Sequence, residues 1–196
     1  VPLVFTHHTR YSDYSHYLPL NQKLVKAVIE NYLADYMRKC HHVVVPSESI
    51  KKKLVDLYGI SRQITAVATG IDLSQWAAVD GHEIRQAVNW EDDTVLISVG
   101  RLAKEKNWLT LIKAVAPVLK KRSQTRLVLI GDGNERKSLQ KLTEELDIEQ
   151  HVQFTGNISH REVIAHLKAA DLFCFASVTE TQGLVTMEAM AAGLPV

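Results

Sequence analysis

Cysteine is nearly missing from these 196 residues, with Cys40 and Cys174 the two examples. They lie far apart, and Cys174 sits inside the apolar run Leu-Phe-Cys-Phe. This pattern excludes a disulfide-built secreted scaffold and predicts buried, inert thiols in a reducing cytoplasm. An excess of charge of one sign is missing too. Lys and Arg number 23 against 22 Asp and Glu, so no global field draws the chain to nucleic acid. The basic clusters Lys51-Lys52-Lys53 and Lys120-Lys121-Arg122 fall on expected helices and read as solvated faces. No apolar run is long enough to cross a bilayer, and the first residues lack the basic and apolar regions of a signal peptide. There is no Gly-x-Ser-x-Gly elbow, Walker loop or Cys-x-x-Cys pair, which removes the commonest hydrolase, nucleotidase and redox signatures. The chain starts without Met inside an expected strand, and it ends at Gly193-Leu-Pro-Val196 as if approaching another. It reads as an internal piece of a longer protein.

What is present is an apolar content of 46%, enough to bury a core, arranged in alternating strand and helix patterns. A strand at Leu3 to Phe5 precedes a polar, aromatic loop running from Thr6 through His7, His8 and His16 to Tyr17. The apolar positions Leu24, Val25, Val28, Ile29, Tyr32, Leu33, Tyr36 and Met37 predict one helical face from Asn21 to Lys39, packed on a sheet. Strands at His42–Pro46 and Ile64–Gly70 enclose a helix that Ser47 caps and Gly59 stops. After a polar stretch, strands at Thr94–Gly100, Arg126–Gly131, Val152–Gly156 and Leu172–Ala176 alternate with helices at Trp108–Lys121, Glu135–Leu146 and Ser159–Ala170. This rhythm predicts an α/β chain with two Rossmann-like parallel-sheet domains, both incomplete. The expected boundaries are 1–75, a linker at 76–93, and 94–196.

Parallel sheets bind ligands beyond the carboxyl ends of their strands, so the loops after Val99, Ile130, Thr155 and Ser177 should converge. The loop from Gly100 brings Arg101 and Lys106 together, a fork and a point charge suited to the oxygens of a diphosphate. The segment Gly131-Asp132-Gly133-Asn134 is an incomplete dinucleotide fingerprint, whose default reading is a tight turn. The elbow Glu180-Thr-Gln-Gly183 leads into a helix starting at Leu184. Helix N-termini attract anions, while Glu180 and Glu188 suit neutral hydroxyls such as those of a sugar nucleotide. The histidine pair His7-His8 invites a metal. Adjacent residues on an extended loop point apart, however, and no third ligand stands at metal spacing, so no metal is expected.

Taken together, Gly100-Arg101…Lys106-Asn107, Gly131-Asp-Gly133, Val152-Gln-Phe-Thr-Gly156 and Glu180-x7-Glu188 resemble the nucleotide-binding half of retaining GT-B glycosyltransferases of family four. The segments Thr6-His-His8-Thr-Arg-Tyr-Ser-Asp-Tyr-Ser-His16-Tyr and Ala68-Thr-Gly-Ile-Asp72 are similar to the bacterial diacylglycerol glucosyltransferases within it. The resemblance implies transfer of a hexose, glucose from UDP-glucose, to a hydroxyl acceptor with retention of configuration and without a cofactor. Arg101 and Lys106 would hold the diphosphate, Glu180 would bind donor-sugar hydroxyls, Gly183 and Leu184 would offer amides to phosphate, and Glu188 would accept from the ribose. Gly100, Gly131 and Gly133 would line the donor site, and His8 would lie over the donor sugar. The aromatic loop from Tyr11 to Tyr17 favours a lipid such as diacylglycerol over the alternative acceptors, a soluble metabolite or a lipid-linked saccharide, and a lipid would hold a cytoplasmic enzyme against the inner face of the cell membrane. Gln182 replaces the aromatic residue of the family's common Glu-Gly-Phe-Gly form. A non-catalytic nucleotide-binding module is the rival reading. A Rossmann dehydrogenase is disfavoured by the incomplete fingerprint.

Overall fold

The computed structural model describes residues 1–9, 21–60 and 63–196. The aromatic loop Tyr11–Tyr17 therefore lies outside the described residues. The chain divides into two units, one of Val1–Gly70 with Thr179–Gln182 and one of Ile71–Val178 with Gly183–Val196.

In the first unit, β1 (Val4–Thr6), β2 (His42–Val45) and β3 (Ile64–Ala66) form a parallel sheet in that order. Helix α1 (Gln22–Lys39) begins where Asn21 accepts the amides of Lys23 and Leu24. Helix α2 (Glu48–Tyr58) begins where Ser47 Oγ accepts the Ile50 amide at 3.3 Å, and it ends at Gly59 in the left-handed region. The core joins Met37, Cys40, Val43, Val45, Ile50, Leu54, Ile60 and Ile64. The eight-residue stripe expected on α1 is only partly used: Leu33, Tyr36 and Met37 pack inward, whereas Leu24, Val28 and Tyr32 are exposed. Those eight positions include adjacent pairs and so sweep too wide an arc for one sheet to cover.

The second unit holds β4 (Thr94–Val99), β5 (Thr125–Ile130), β6 (Val152–Gly156) and β7 (Leu172–Phe173), all parallel in the spatial order β6-β5-β4-β7. Both faces are covered, and alternation along the strands feeds two cores. Val95, Ile97, Val128 and Ile130 join one with α7 (His160–Ala169) and α8 (Leu184–Ala191). Leu96, Leu127 and Leu129 join the other with α5 (Trp108–Lys121) and α6 (Arg136–Glu145). Helix α7 starts with a complete capping box, Ser159 with Glu162, which stabilises its first turn from both directions.

The expected linker at 76–93 is instead built into this unit. It contains the end of α3 (Ser74–Ala77) and all of α4 (His82–Ala87), and both Trp76 and Trp90 are buried in the first of those cores. Lys168 Nζ donates to the Val79 carbonyl at 2.7 Å, and a β-carbon on Gly81 would stand 2.4 Å from the Lys168 carbonyl carbon. Polarity suggested a linker because most of the segment is solvated, but two large indoles are enough to dock it. Thr179–Gln182, expected within the second domain, groups with the first unit.

Strand β4 is the switch strand, since the chain leaves it toward β5 and β6 on one side and later returns to β7 on the other. The crevice of such a sheet opens at this point. Here the loops are pressed together. Gly100 donates to the Ile130 carbonyl at 2.9 Å, Leu102 to the Asp132 carbonyl at 2.9 Å, and Glu135 to the Leu102 carbonyl at 3.0 Å. A β-carbon on Gly131 would lie 2.1 Å from the Gly100 carbonyl oxygen, and one on Gly133 would lie 2.4 Å from that of Leu102. Gly131 also sits at φ +130°. Gly131→Ala should therefore cost about 3 kcal/mol or more, as expected for combined overpacking and backbone strain. Gly193→Ala, where φ is +84° in open space, should cost about 1–2 kcal/mol. Urea unfolding of both variants checks the ranking, and equal costs would show that the loop contact is dispensable.

Candidate active site

Two loops flank the crevice at the switch strand. The loop after β4 places Arg101 two residues before the extended Ala103 and Lys106 at the end of a 3₁₀ turn, Lys104–Lys106. Asn107 closes that turn in the left-handed region at φ 56°. The Arg101 carbonyl accepts Trp108 Nε1 at 2.9 Å, and Trp108 is itself buried, so the main chain at Arg101 is anchored to a core residue. The Lys106 stem lies beside Gly100, since a β-carbon there would stand 3.8 Å from Lys106 Cε. Both expected diphosphate ligands thus leave one rigid turn. Glu105, between Lys104 and Lys106, is buried, and its carboxylate accepts from Arg101 Nη2.

The loop after β7 is tied to the first one. Cys174 continues the ladder by donating to the Ile97 carbonyl at 2.8 Å, and burial raises its thiol pKa. Farther along, Val178 N–H donates to the Glu105 carbonyl at 3.3 Å, and Ser177 Oγ donates to the same carbonyl at 3.4 Å. At the far end of the loop Gly183 takes φ 72° and ψ 50° and starts α8. The amides of Thr186 and Met187 return to the Gly183 carbonyl at 3.0 and 3.4 Å. The N–H groups of Leu184 and Val185 therefore precede the helical ladder, the position from which a helix N-terminus addresses an anion. Glu188, one turn into α8, is half-buried. Burial raises its pKa, and the charge of His160 opposes that rise. His160 in turn packs edge-on to Trp76 at 6.4 Å. It also lines a cavity of about 310 Å³ shared with Gln75, Ala78, Val79, Arg161 and Ile164.

Gly131 and Gly133, expected to line the donor site, are required by the loop packing described above. Asp132, between them, is clamped: Oδ1 accepts the Gly133 amide at 2.7 Å and Oδ2 accepts Arg136 Nη1 at 3.0 Å. Arg136 also reaches the Phe154 carbonyl at 3.3 Å, linking the loop to the end of β6.

His8 and Glu180 belong to the first unit. His7 is buried and His8 exposed, so the two rings of the pair face opposite environments. Burial, aided by the charge of His8, lowers the His7 pKa. Among the described residues no group of three or more His, Cys, Asp or Glu is arranged to hold a metal ion. Thr181, next to Glu180, donates through Oγ1 to the His8 carbonyl at 3.0 Å and accepts Ser47 Oγ on its own carbonyl at 3.1 Å. Gln182 accepts the Thr69 amide at 3.0 Å and donates to the Thr69 carbonyl at 2.8 Å, mimicking a strand partner. The residue that departs from the family form is thus used to pin the elbow. Sequence reasoning passed over Glu105, Arg136 and the backbone role of Gln182. For Glu105 and Arg136 the available signal was spacing, since Arg101–Glu105 and Asp132–Arg136 are both opposite charges four residues apart.

Comparison with known proteins identifies the family and the fold. The family described as "Glycosyl transferases group 1" matches residues 80–196, and "Glycosyltransferase Family 4" matches residues 1–75. The alpha-monoglucosyldiacylglycerol synthase of Streptococcus pneumoniae is 32% identical over 202 residues, covering 100% of this chain and 46% of its own length. That of Acholeplasma laidlawii is 32% identical over 210 residues, covering 100% of this chain and 52% of its own. The chain spans about half the length of these curated relatives. Among solved structures, HepE of Anabaena in complex with UDP and glucose superposes with a TM-score of 0.83 at 23% identity, over 100% of this chain and 52% of its own. Sucrose-phosphate synthase of Thermosynechococcus elongatus does so with a TM-score of 0.83 at 24% identity, over 98% and 49%. The two parallel sheets with their flanking helices are those of the GT-B fold, and the chain belongs to the glycosyl transferases group 1 family.

Proposed function

We propose that the protein of which this chain is part transfers glucose from UDP-glucose to a hydroxyl of diacylglycerol or another lipid, with retention at the anomeric carbon. The observation that carries this reading is that, within the second unit, a two-cation turn follows β4 and a helix N-terminus opened by Gly183 follows the neighbouring strand β7. Cations and aligned amides of this kind stabilise the charge that develops on a departing nucleoside diphosphate. The 32% identity to two alpha-monoglucosyldiacylglycerol synthases across the whole chain supports the lipid acceptor. The donor is suggested by the UDP and glucose bound to the Anabaena protein.

In the proposed reaction the acceptor oxygen bonds to the anomeric carbon on the face that the leaving group occupies, as the bond from that carbon to the β-phosphate oxygen breaks. The acceptor proton passes to the same phosphate, and UDP departs. Arg101 and Lys106 hold the diphosphate and neutralise the charge it gains, and the N–H groups of Leu184 and Val185 add to this. Glu180 and His8 orient the sugar, and Glu188 accepts from the ribose hydroxyls. The groups named need no cofactor to act. Among the described residues no helix is long and apolar enough to cross a membrane, and we place the enzyme on the cytoplasmic membrane surface through its lipid acceptor.

Three outcomes are expected of the full-length protein. With radiolabelled UDP-glucose, Arg101→Ala and Lys106→Ala should each lower turnover about a hundredfold or more, and unchanged kinetics in both would refute the clamp. Glu188→Gln separates binding from folding. Burial raises the Glu188 pKa, so its carboxyl favours the native state most at acid pH, and this advantage is lost as pH rises through the folded pKa. At pH 7 the variant should be as stable as the parent or slightly more so. Its affinity for UDP should nevertheless fall about tenfold, the size of one charged hydrogen bond, and calorimetric titration reads both. Finally, diacylglycerol in mixed micelles should accept label, and the enzyme should sediment with anionic vesicles less well as salt rises. Transfer to soluble acceptors alone would exclude the lipid.

A further inference from the structure

We infer that Glu105 is a positioning residue that aims Arg101 at the donor diphosphate, and that its main chain holds the loop after β7 at Ser177 and Val178. This inference rests on the glycosyl-transfer reading and deepens it.

The starting point is an asymmetry. The Glu105 side chain is 1% exposed, whereas that of Arg101, whose guanidinium donates to it, is 57% exposed. A buried carboxylate is costly, and a buried apolar residue of similar size would generally serve stability as well or better. What the carboxylate contributes instead is direction. It draws one guanidinium nitrogen of a planar, five-donor group toward the protein, while the side chain as a whole stays largely exposed. The main chain around Arg101 is held by hydrogen bonds. Its neighbour Gly100 is bonded to the end of β5 and its neighbour Leu102 to Asp132 in the loop that follows, and its carbonyl is held by Trp108. The side-chain torsions remain, and these are what Glu105 restricts.

The second half of the inference concerns the Glu105 carbonyl. It accepts the Val178 amide at 3.3 Å and the Ser177 hydroxyl at 3.4 Å, so the loop after β7 is referenced to the residue that orients Arg101. Lys106 follows directly in the same turn, its amide held by the Ala103 carbonyl at 3.0 Å. One residue thus registers both clamp cations and the loop after β7 against each other. Sub-ångström placement of this kind is what transition-state stabilisation requires.

The test is a cycle in the full-length protein of Arg101→Ala, Glu105→Gln and the double variant, with UDP affinity by calorimetry, turnover with UDP-glucose, and thermal unfolding. Glu105→Gln keeps volume and an acceptor oxygen but removes the charge. Turnover should fall about tenfold, the coupling expected of contacting side chains, and UDP affinity less. In the Arg101→Ala background the same change should have no further effect within about twofold. Glu105→Asp, which keeps the charge but draws it back, should give an intermediate loss and serves as the second variant if the Gln form does not fold. A merely structural residue would lower unfolding temperature and act equally in both backgrounds, and that result would overturn the inference. Wild-type turnover in both Glu105 variants would overturn it as well. If Arg101→Ala itself leaves UDP affinity and turnover unchanged, the underlying clamp reading fails, and the two failures are thereby distinguished.

Discussion

The second unit is organised by the closeness of two chain segments at the carboxyl ends of β4 and β5, a distance that no side chain tolerates. Gly131 faces the Gly100 carbonyl and Gly133 faces the Leu102 carbonyl, both within 2.5 Å of where a β-carbon would stand. Because these loops touch through backbone, they behave as one platform whose positions are set by main-chain hydrogen bonds. Backbone contact is stiffer than contact through rotatable side chains, and a site that must hold charges against a developing phosphate charge benefits from stiffness more than from reach. Gly131 and Gly133, read from sequence as a tight turn and given a donor-lining role only by family resemblance, are the means of building that platform.

From the platform the cations follow. Arg101 and Lys106 extend from a turn only six residues long, held beneath by Trp108 and Glu105, and the loop after β7 is bonded to the same turn. Strand order makes this possible. With β4 between β5 and β7, the two loops of the crevice emerge side by side. The elbow is pinned separately within the first unit, where Thr181 and Gln182 bond to His8, Ser47 and Thr69. The residues expected to contact the sugar, His8 and Glu180, thus share one framework, while those expected to hold the diphosphate share another.

Much of the fold was legible from local pattern. The start of α1 at Asn21, the cap at Ser47, the stop at Gly59 and the span Trp108–Lys121 all stand where side-chain chemistry put them. The misreadings have a common cause. On α1, periodicity identified apolar positions but not the width of the surface available to cover them, so Leu24, Val28 and Tyr32 were assigned to a face the sheet does not reach. At 76–93, mean polarity concealed Trp76 and Trp90, whose burial docks the segment to the second core. In both cases the missing information was what lies opposite, which no local window contains.

The same division applies to the site. Sequence by itself determined the alternation that makes a parallel sheet, the glycines that permit close loops, the cations after β4, the carboxylates around the last helix and, through their order, the family. Tertiary structure decided which face of each helix is buried, that the supposed linker is part of a domain, and that Gln182 works on the backbone of Thr69. It also decided that an unremarked glutamate lies under Arg101. The reason is physical: propensity, periodicity and capping act over a few residues. Burial of a charge and the bonding of one main chain to another depend on segments far apart in sequence that meet only when the chain has folded.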